Sequence, residues 1–217
     1  MPAKANALKI TRHFTESGKD PFDKLSWSKK DVEIRNFDGT VAFSMKDVTL
    51  PDNYSQVASN VLAQKYLRKA GIPKKLRKVK EKAVPSWLQR SVPDLKAMED
   101  LPEDEKFGEE VDGKQTFRRL AGTWTYWGWK HGYFASEADA KSYFDEMCYM
   151  LAFQMVSPNS PQWFNTGLNW AYGIEGPAQG HYFVNPKTGD LERSVNAYEH
   201  PQPHACFIQS VSDDLVN

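Results

Sequence analysis

The stretch Ser136-Glu-Ala-Asp-Ala-Lys-Ser-Tyr-Phe-Asp-Glu-Met-Cys-Tyr-Met-Leu-Ala-Phe-Gln-Met-Val156 carries a clear structural signal. Tyr143, Phe144, Met147, Met150, Leu151 and Phe153 recur at helical spacing. Their apolar stripe is broad enough for a helix buried on more than one side. Ser136 followed by Asp139 is a variant capping box, with Asp where Glu is usual. The pattern predicts a helix over residues 136–156, stopped by Pro158. Cys148 falls on the stripe and reads as a small buried hydrophobe, unpaired, rather than a redox residue.

Upstream, Leu120-Ala-Gly-Thr-Trp-Thr-Tyr-Trp-Gly-Trp-Lys-His-Gly-Tyr-Phe134 is dense in aromatics, which suits either core packing or a ligand-stacking platform. Residues 55–70 place Val57, Val61, Leu62 and Tyr66 at helical spacing, with Gly71 and Pro73 expected to close the helix. Nearer the N-terminus, Asp38-Gly39 separates two alternating segments and predicts a hairpin near residues 33–43 with a type I′ turn. A separate short strand is expected at 47–51. Residues 65–82 hold nine Lys or Arg against one Glu, either a solvated face or a surface for phosphate or a partner. The acidic, proline-bearing residues 83–113 read as a linker that charge would draw towards the basic stretch.

Past Gly180 the pattern turns to strands. Residues 181–184 and 191–195 flank Asn185-Pro-Lys-Thr-Gly-Asp190, a hairpin-loop composition, and a last strand is expected across 204–210. The chain therefore divides into an extended arm (1–30), a hairpin and helix region with charged linkers (31–113) and a helical region running into strand (114–217). The class is α+β.

Composition excludes several functions. The net charge of zero gives no global attraction for nucleic acid or membrane surfaces. No apolar run reaches the ~18 residues of a membrane span, and the N-terminus lacks the apolar core of a secretory signal. Two cysteines make no disulfide scaffold, so a reducing, cytoplasmic setting is expected. Seven tryptophans argue for a packed core. The five histidines lack metal-binding spacing, and no CxxC pair, P-loop, GxSxG or GxGxxG occurs. Cys206, in Pro203-His-Ala-Cys-Phe-Ile-Gln-Ser210, is read from these residues alone as a core strand residue or a redox thiol.

Several segments together resemble the class II, adenosylcobalamin-dependent ribonucleotide reductases. They are the early hairpin, Gly122-Thr-Trp-Thr-Tyr-Trp-Gly-Trp129, the run from Ser157-Pro-Asn-Ser-Pro through Asn165-Thr-Gly167, Trp170-Ala-Tyr-Gly-Ile-Glu-Gly-Pro-Ala-Gln-Gly180, and Tyr198-Glu-His-Pro-Gln-Pro-His-Ala-Cys206. The resemblance implies a helical N-terminal region with a small β-hairpin, followed by the first strand of a ten-stranded α/β barrel left incomplete here. It implies that Cys206 is one of the two cysteines that reduce the substrate, with its partner and the thiyl-bearing cysteine on later strands and a loop beyond this chain. Ser157 matches the residue whose loop holds substrate phosphate, a turn or N-cap serine being the local alternative. Ala205 matches the position whose backbone meets substrate. Asp213 matches a ribose contact for a deoxynucleotide effector, where it or the adjacent Asp214 would otherwise cap a helix.

Other implied participants are a ribonucleotide substrate, a deoxynucleotide or ATP effector, adenosylcobalamin held mainly by the rest of the enzyme, a thioredoxin-like reductant and a homodimeric partner. No membrane or specific nucleic acid is implied. The family continues past Asn217, so this stretch is expected to be inactive alone. The rival reading is a non-catalytic nucleotide-binding or regulatory module.

Overall fold

The structure is a computed structural model, and it describes residues 7–178, 180–201 and 205. Its centre is a long hairpin laid against a pair of helices. Strands β1 (Trp27–Arg35) and β2 (Val41–Pro51) run antiparallel. Helix α1 (Gln56–Val61) follows directly, with the Ser55 hydroxyl accepting from Ala58 N–H at 3.1 Å. Small paired strands come next. β3 (Ile72–Pro73) pairs with β6 (Phe107–Gly108), and β4 (Leu76–Lys78) pairs with β5 (Ser91–Pro93). The longest helices are α2 (Gly113–Lys130) and α3 (Glu137–Ala152). Short helices α4 (Ser160–Asn165) and α5 (Leu168–Tyr172) lead to the hairpin of β7 (Tyr182–Val184) and β8 (Leu191–Arg193).

The molecule is thus mixed helix and strand, with four two-stranded sheets and no closed barrel among the described residues. The strand expected across 204–210 falls outside the described residues apart from Ala205, which is exposed and in no regular element.

The expected hairpin forms, with a different turn. Gly39 N–H donates to the Asn36 carbonyl at 3.0 Å and Asn36 N–H to the Thr40 carbonyl at 2.9 Å, while Gly39 has φ +85° and Asp38 has no positive φ. This is a three-residue loop, a type I turn closed by a left-handed glycine. A type I′ turn would need positive φ at both central residues. The strand expected separately at 47–51 belongs to β2. Met45, Val48 and Leu50 all face the core, a phase that strict alternation cannot give. A bulge restores it, with Lys46 and Asp47 opposite Asp31, Asp47 at φ 53° and its N–H donating to the Asp31 carboxylate at 3.0 Å.

The helix expected over 55–70 stops early. After Val61 the chain makes a π-turn over Leu62–Tyr66 and is extended at Leu67. The reason lies in a buried ion pair. Arg119 donates to the Tyr66 carbonyl at 3.1 Å, while Glu110 accepts from Arg68 N–H at 2.8 Å and its own N–H donates to the Arg68 carbonyl at 2.8 Å. The backbone groups that would continue the helix are already taken. Gly71 and Pro73 lie beyond the helix end, with Pro73 in β3.

Sequence patterning gives no element at α2, yet its start is well capped. Asp112 accepts from Lys114 N–H at 2.8 Å, and Gln115 accepts from Asp112 N–H at 3.0 Å, a capping box. The aromatic run belongs to this helix. Gly122 and Gly128 sit where a Cβ would run into the Trp170 and Phe134 rings. Tyr126 donates to Glu81 at 2.7 Å and Trp129 to the Ala83 carbonyl at 2.7 Å, so the run clasps neighbouring chain.

Helix α3 opens as expected, with the Ser136 hydroxyl accepting from Asp139 N–H at 3.2 Å. It ends at Ala152, short of Val156. Gln154, at φ 58°, adopts the left-handed conformation, with Met155 N–H donating to the Met150 carbonyl at 2.9 Å and Gln154 N–H to the Leu151 carbonyl at 3.2 Å. A Schellman turn therefore terminates the helix ahead of Pro158.

The N-terminal segment is strapped to α3. Leu8 pairs with Phe134, Ile10 N–H donates to Asp139 at 2.8 Å, Arg12 meets Asp145 at 2.8 Å, and Glu146 takes Thr15 N–H at 2.9 Å. The main core gathers Val32, Val48 and Leu50 from the hairpin with Phe117, Leu120 and Leu151 from the helices. Cys148 lies within it, fully buried and free, and burial pushes its thiol up. The basic and acidic stretches do come side by side through β3 and β6, but no ion pair joins them across that sheet among the described residues.

Two outcomes follow from these contacts. Gln154→Gly should raise unfolding free energy by about 1 kcal/mol, since glycine adopts positive φ without the Cβ penalty. Urea titration would read it, and a fall in the midpoint would show that the glutamine side chain offsets its strain. Glu110→Gln should cost about 3–5 kcal/mol, because it strands a buried guanidinium. Burial alone would raise the Glu110 carboxyl, but Arg119, Arg68 N–H and Thr116 outweigh it and hold it below the usual range. That contribution is complete above the unfolded value of about 4.3 and is lost as pH falls through the lowered folded value. The variant should therefore lose less stability than wild type in that acidic range. Equal slopes in a pH series of urea titrations would contradict this.

Candidate functional site

The loop between α3 and α4 carries Ser157, and buried chemistry fixes the far end of α4. Arg119 and Glu110 are 1% and 0% exposed, with the Arg119 Nε donating to Glu110 at 2.8 Å. Thr116 and Tyr172 hydroxyls each donate to the same carboxylate at 2.8 Å. Burial first, then the Glu110 charge, raises the Tyr172 phenol, so it stays a donor. The remaining guanidinium edge donates to the Thr166 carbonyl at 2.8 Å, which pins the end of α4. Gly167 comes next at φ +87°, and a Cβ there would meet the Arg119 carbonyl oxygen.

Indole contacts hold the near end. Trp163 Nε1 donates to the Pro158 carbonyl at 3.0 Å, and Trp124 Nε1 donates to Gln162 Oε1 at 3.2 Å. The Tyr66 and Trp163 rings stack at 4.9 Å. Ser157 itself is exposed, and among the described residues its hydroxyl makes only a long 3.5 Å contact to the Pro158 carbonyl. It does not cap α4, whose N-cap is Asn159.

Ser157 stands between two depressions. One, of about 730 Å³, is walled by Trp124, Trp127, Phe134 and Tyr143. The other, of about 390 Å³, lies beneath Val57, Val61 and Trp163. Val156 and Ser157 line both. Among the described residues no Asp, Glu, Lys or Arg lines either one, while His131 lines the larger.

Of the residues singled out from sequence, Ser157 is exposed on this pinned loop, and Ala205 is exposed in irregular chain. Cys206, Asp213 and Asp214 lie outside the described residues, so the loop and the cysteine strand are not seen together. Among the described residues no group of three His, Cys, Asp or Glu side chains could hold a metal ion. No helix among them is long and apolar enough to cross a membrane. Sequence reasoning passes over Glu110 and Arg119. Their one legible trace is Asp112-Gly-Lys-Gln115, a capping signature that starts α2 and sets Glu110 just ahead of its first turn and Arg119 just after it.

Comparison with known proteins matches this sequence to a family. Residues 28–154 fit the family model for class II vitamin B12-dependent ribonucleotide reductase. The vitamin B12-dependent ribonucleotide reductase of Agrobacterium fabrum is 60% identical over 210 residues, which is 97% of this chain and 16% of that protein. The protein of the same name from Bradyrhizobium diazoefficiens is 59% identical, again over 97% of this chain and 17% of its own length. That of Streptomyces coelicolor is 32% identical over 96% of this chain and 15% of its own. The chain thus spans about one-sixth of the length of these relatives, and it belongs to the class II vitamin B12-dependent ribonucleotide reductase family.

Proposed function

We propose that this chain is the N-terminal part of an enzyme that reduces ribonucleotides to 2′-deoxyribonucleotides by cobalamin-initiated thiyl-radical chemistry, supplying DNA synthesis and repair in the cytoplasm. The observation that carries the reading is the 60% identity sustained over 97% of the chain to a relative named for that activity. Within this reading adenosylcobalamin is held mainly by the rest of the reductase.

Within this reading Ser157 binds substrate phosphate. Support comes from its exposed hydroxyl, its freedom from helix capping and the anchorage of its loop on Trp163. Ala205 brings backbone close to the nucleotide, and Asp213 accepts from the ribose of a deoxynucleotide or ATP effector. Cys206 is one of the reducing pair. The ribose 2′-hydroxyl leaves as water, and two thiols supply the two electrons and two protons by becoming a disulfide. A thioredoxin-like dithiol then resets the pair. Cys148 takes no part, since a fully buried thiol with a raised pKa presents no thiolate.

The test uses a reductase in which this chain replaces the matching segment of the Agrobacterium fabrum relative. Cys206→Ser should abolish multiple turnover with dithiol reductants and leave the melting temperature unchanged. Normal turnover with a lowered melting temperature would return Cys206 to a structural role. Ser157→Ala should raise KM for the ribonucleotide about tenfold with little change in kcat, the loss of one hydrogen bond to a charged group. An unchanged KM would remove Ser157 from the site.

A further inference from the structure

Residues 65–82 hold nine Lys or Arg, and among the described residues none of the nine forms an ion pair with a carboxylate. Three of them meet at one place. Lys65, Arg68 and Lys69 line a depression of about 410 Å³ together with Gln64, Tyr66 and Phe164. Among the described residues no Asp or Glu lines it. The hollow follows from the interrupted helix. The π-turn ends at Tyr66, and Leu67 turns inward in extended backbone, 2% exposed, which leaves the flanking side chains around an opening.

These cations have capacity to spare. Lys65 is exposed. Arg68 uses Nε on the Ala70 carbonyl at 3.0 Å, which leaves its two terminal nitrogens for a ligand. Lys69 donates to the Ala63 carbonyl and lies over the Phe43 ring at 4.8 Å. Burial lowers its pKa, and the Glu109 and Glu110 charges act against that. Glu110 is committed to Arg119. An ammonium partly removed from water, with no carboxylate in contact, is stabilised by an incoming anion. The aromatic edge narrows the ligand further. Phe164 is 41% exposed, and its ring meets that of Tyr66 at 5.9 Å and 40°. Its exposed surface suits a stacking ring. Gln64 adds an amide that both donates and accepts. Cations beside a stacking surface and an amide match the two halves of a nucleotide, its phosphates and its base. A bare inorganic anion would make no use of the ring.

We propose that this pocket binds a nucleoside polyphosphate, with the phosphates on Lys65, Arg68 and Lys69 and the base against Phe164. Ser157 does not line it, so the site is separate from the candidate substrate loop and does not depend on the reductase reading.

Isothermal titration calorimetry of the 217-residue chain tests this, with ATP, inorganic tripolyphosphate and adenosine as probes. ATP should bind about tenfold more tightly than either fragment. Lys65→Gln should weaken ATP and tripolyphosphate alike, by about fivefold. Lys187→Gln, the same charge change in an exposed loop outside the pocket, should alter neither. Phe164→Ala should weaken ATP about tenfold and leave tripolyphosphate unchanged. Lys65 and Phe164 are both exposed, so their variants should melt with the wild-type chain. No ATP binding, binding indifferent to both substitutions, or equal affinity for ATP and either fragment would overturn the proposal. So would loss of ATP binding in Ser157→Ala, which would move the nucleotide to the candidate substrate loop. Failure of the reductase reading would look different. Cys206→Ser would then keep turnover in the replaced-segment reductase while ATP binding to this chain still depended on Lys65.

Discussion

The buried Glu110–Arg119 pair is the constraint on which the rest of the structure depends. Each ion is too costly to bury alone, so every remaining donor and acceptor position must be filled. Filling them ties together parts of the chain far apart in sequence. Tyr66 and Arg68 supply backbone groups from the turn after α1, Thr116 comes from α2, and Thr166 and Tyr172 come from the segment after Ser157. One cluster therefore ends one helix and anchors the far end of another, the helix that follows the candidate substrate loop. Replacing it with packed hydrocarbons would keep volume but lose this directional pinning, since apolar contacts do not specify which carbonyl faces which group.

Around that node the packing is set by close approach. Gly122 admits the Trp170 ring, Gly128 admits Phe134, and Gly167 lets the turn between α4 and α5 lie on the α2 backbone. Glycine and threonine are poor helix formers, and α2 contains both kinds within one helix. Tertiary contact overrides that propensity. The outcome is a rigid base bearing an exposed serine between two apolar depressions, with the charged surface kept elsewhere, on residues 65–82 and the acidic stretch that follows.

Much of this architecture is legible in the amino-acid order. The stripe from Tyr143 to Leu151 marks α3 because its period and cap agree, and Asp38-Gly39 marks the first hairpin because only glycine suits its left-handed position. The hairpin around Asn185 and Asp190 is legible for the same reason of turn composition. What stays hidden is non-local. Helix α2 is masked by its aromatics, threonines and glycines, whose reasons for being there are contacts with Trp170, Phe134 and Glu81. The stop at Tyr66 is invisible because its cause, Arg119, lies 53 residues away. Of the candidate site, Ser157 can be named from its motif, while the bond from Trp163 to the Pro158 carbonyl beside it cannot. Cys206 and Asp213 rest on the family resemblance and the identity to the relatives, not on described geometry.

The central claim is that the buried ion pair holds the turn after α1 and the end of α4 as firmly as the core. Native-state hydrogen exchange tests it most directly. The amides of Arg68 and Glu110 bond to each other's residues, and the amide of Thr166 closes α4 against the Gln162 carbonyl. If the account is right, these three amides exchange with the same free energy as Leu120 and Ala121 in the middle of α2, opening only when the whole chain unfolds. Exchange at Arg68, Glu110 and Thr166 well ahead of α2 would contradict it. These segments would then open locally, and the buried pair would be a passenger of the fold and not its anchor.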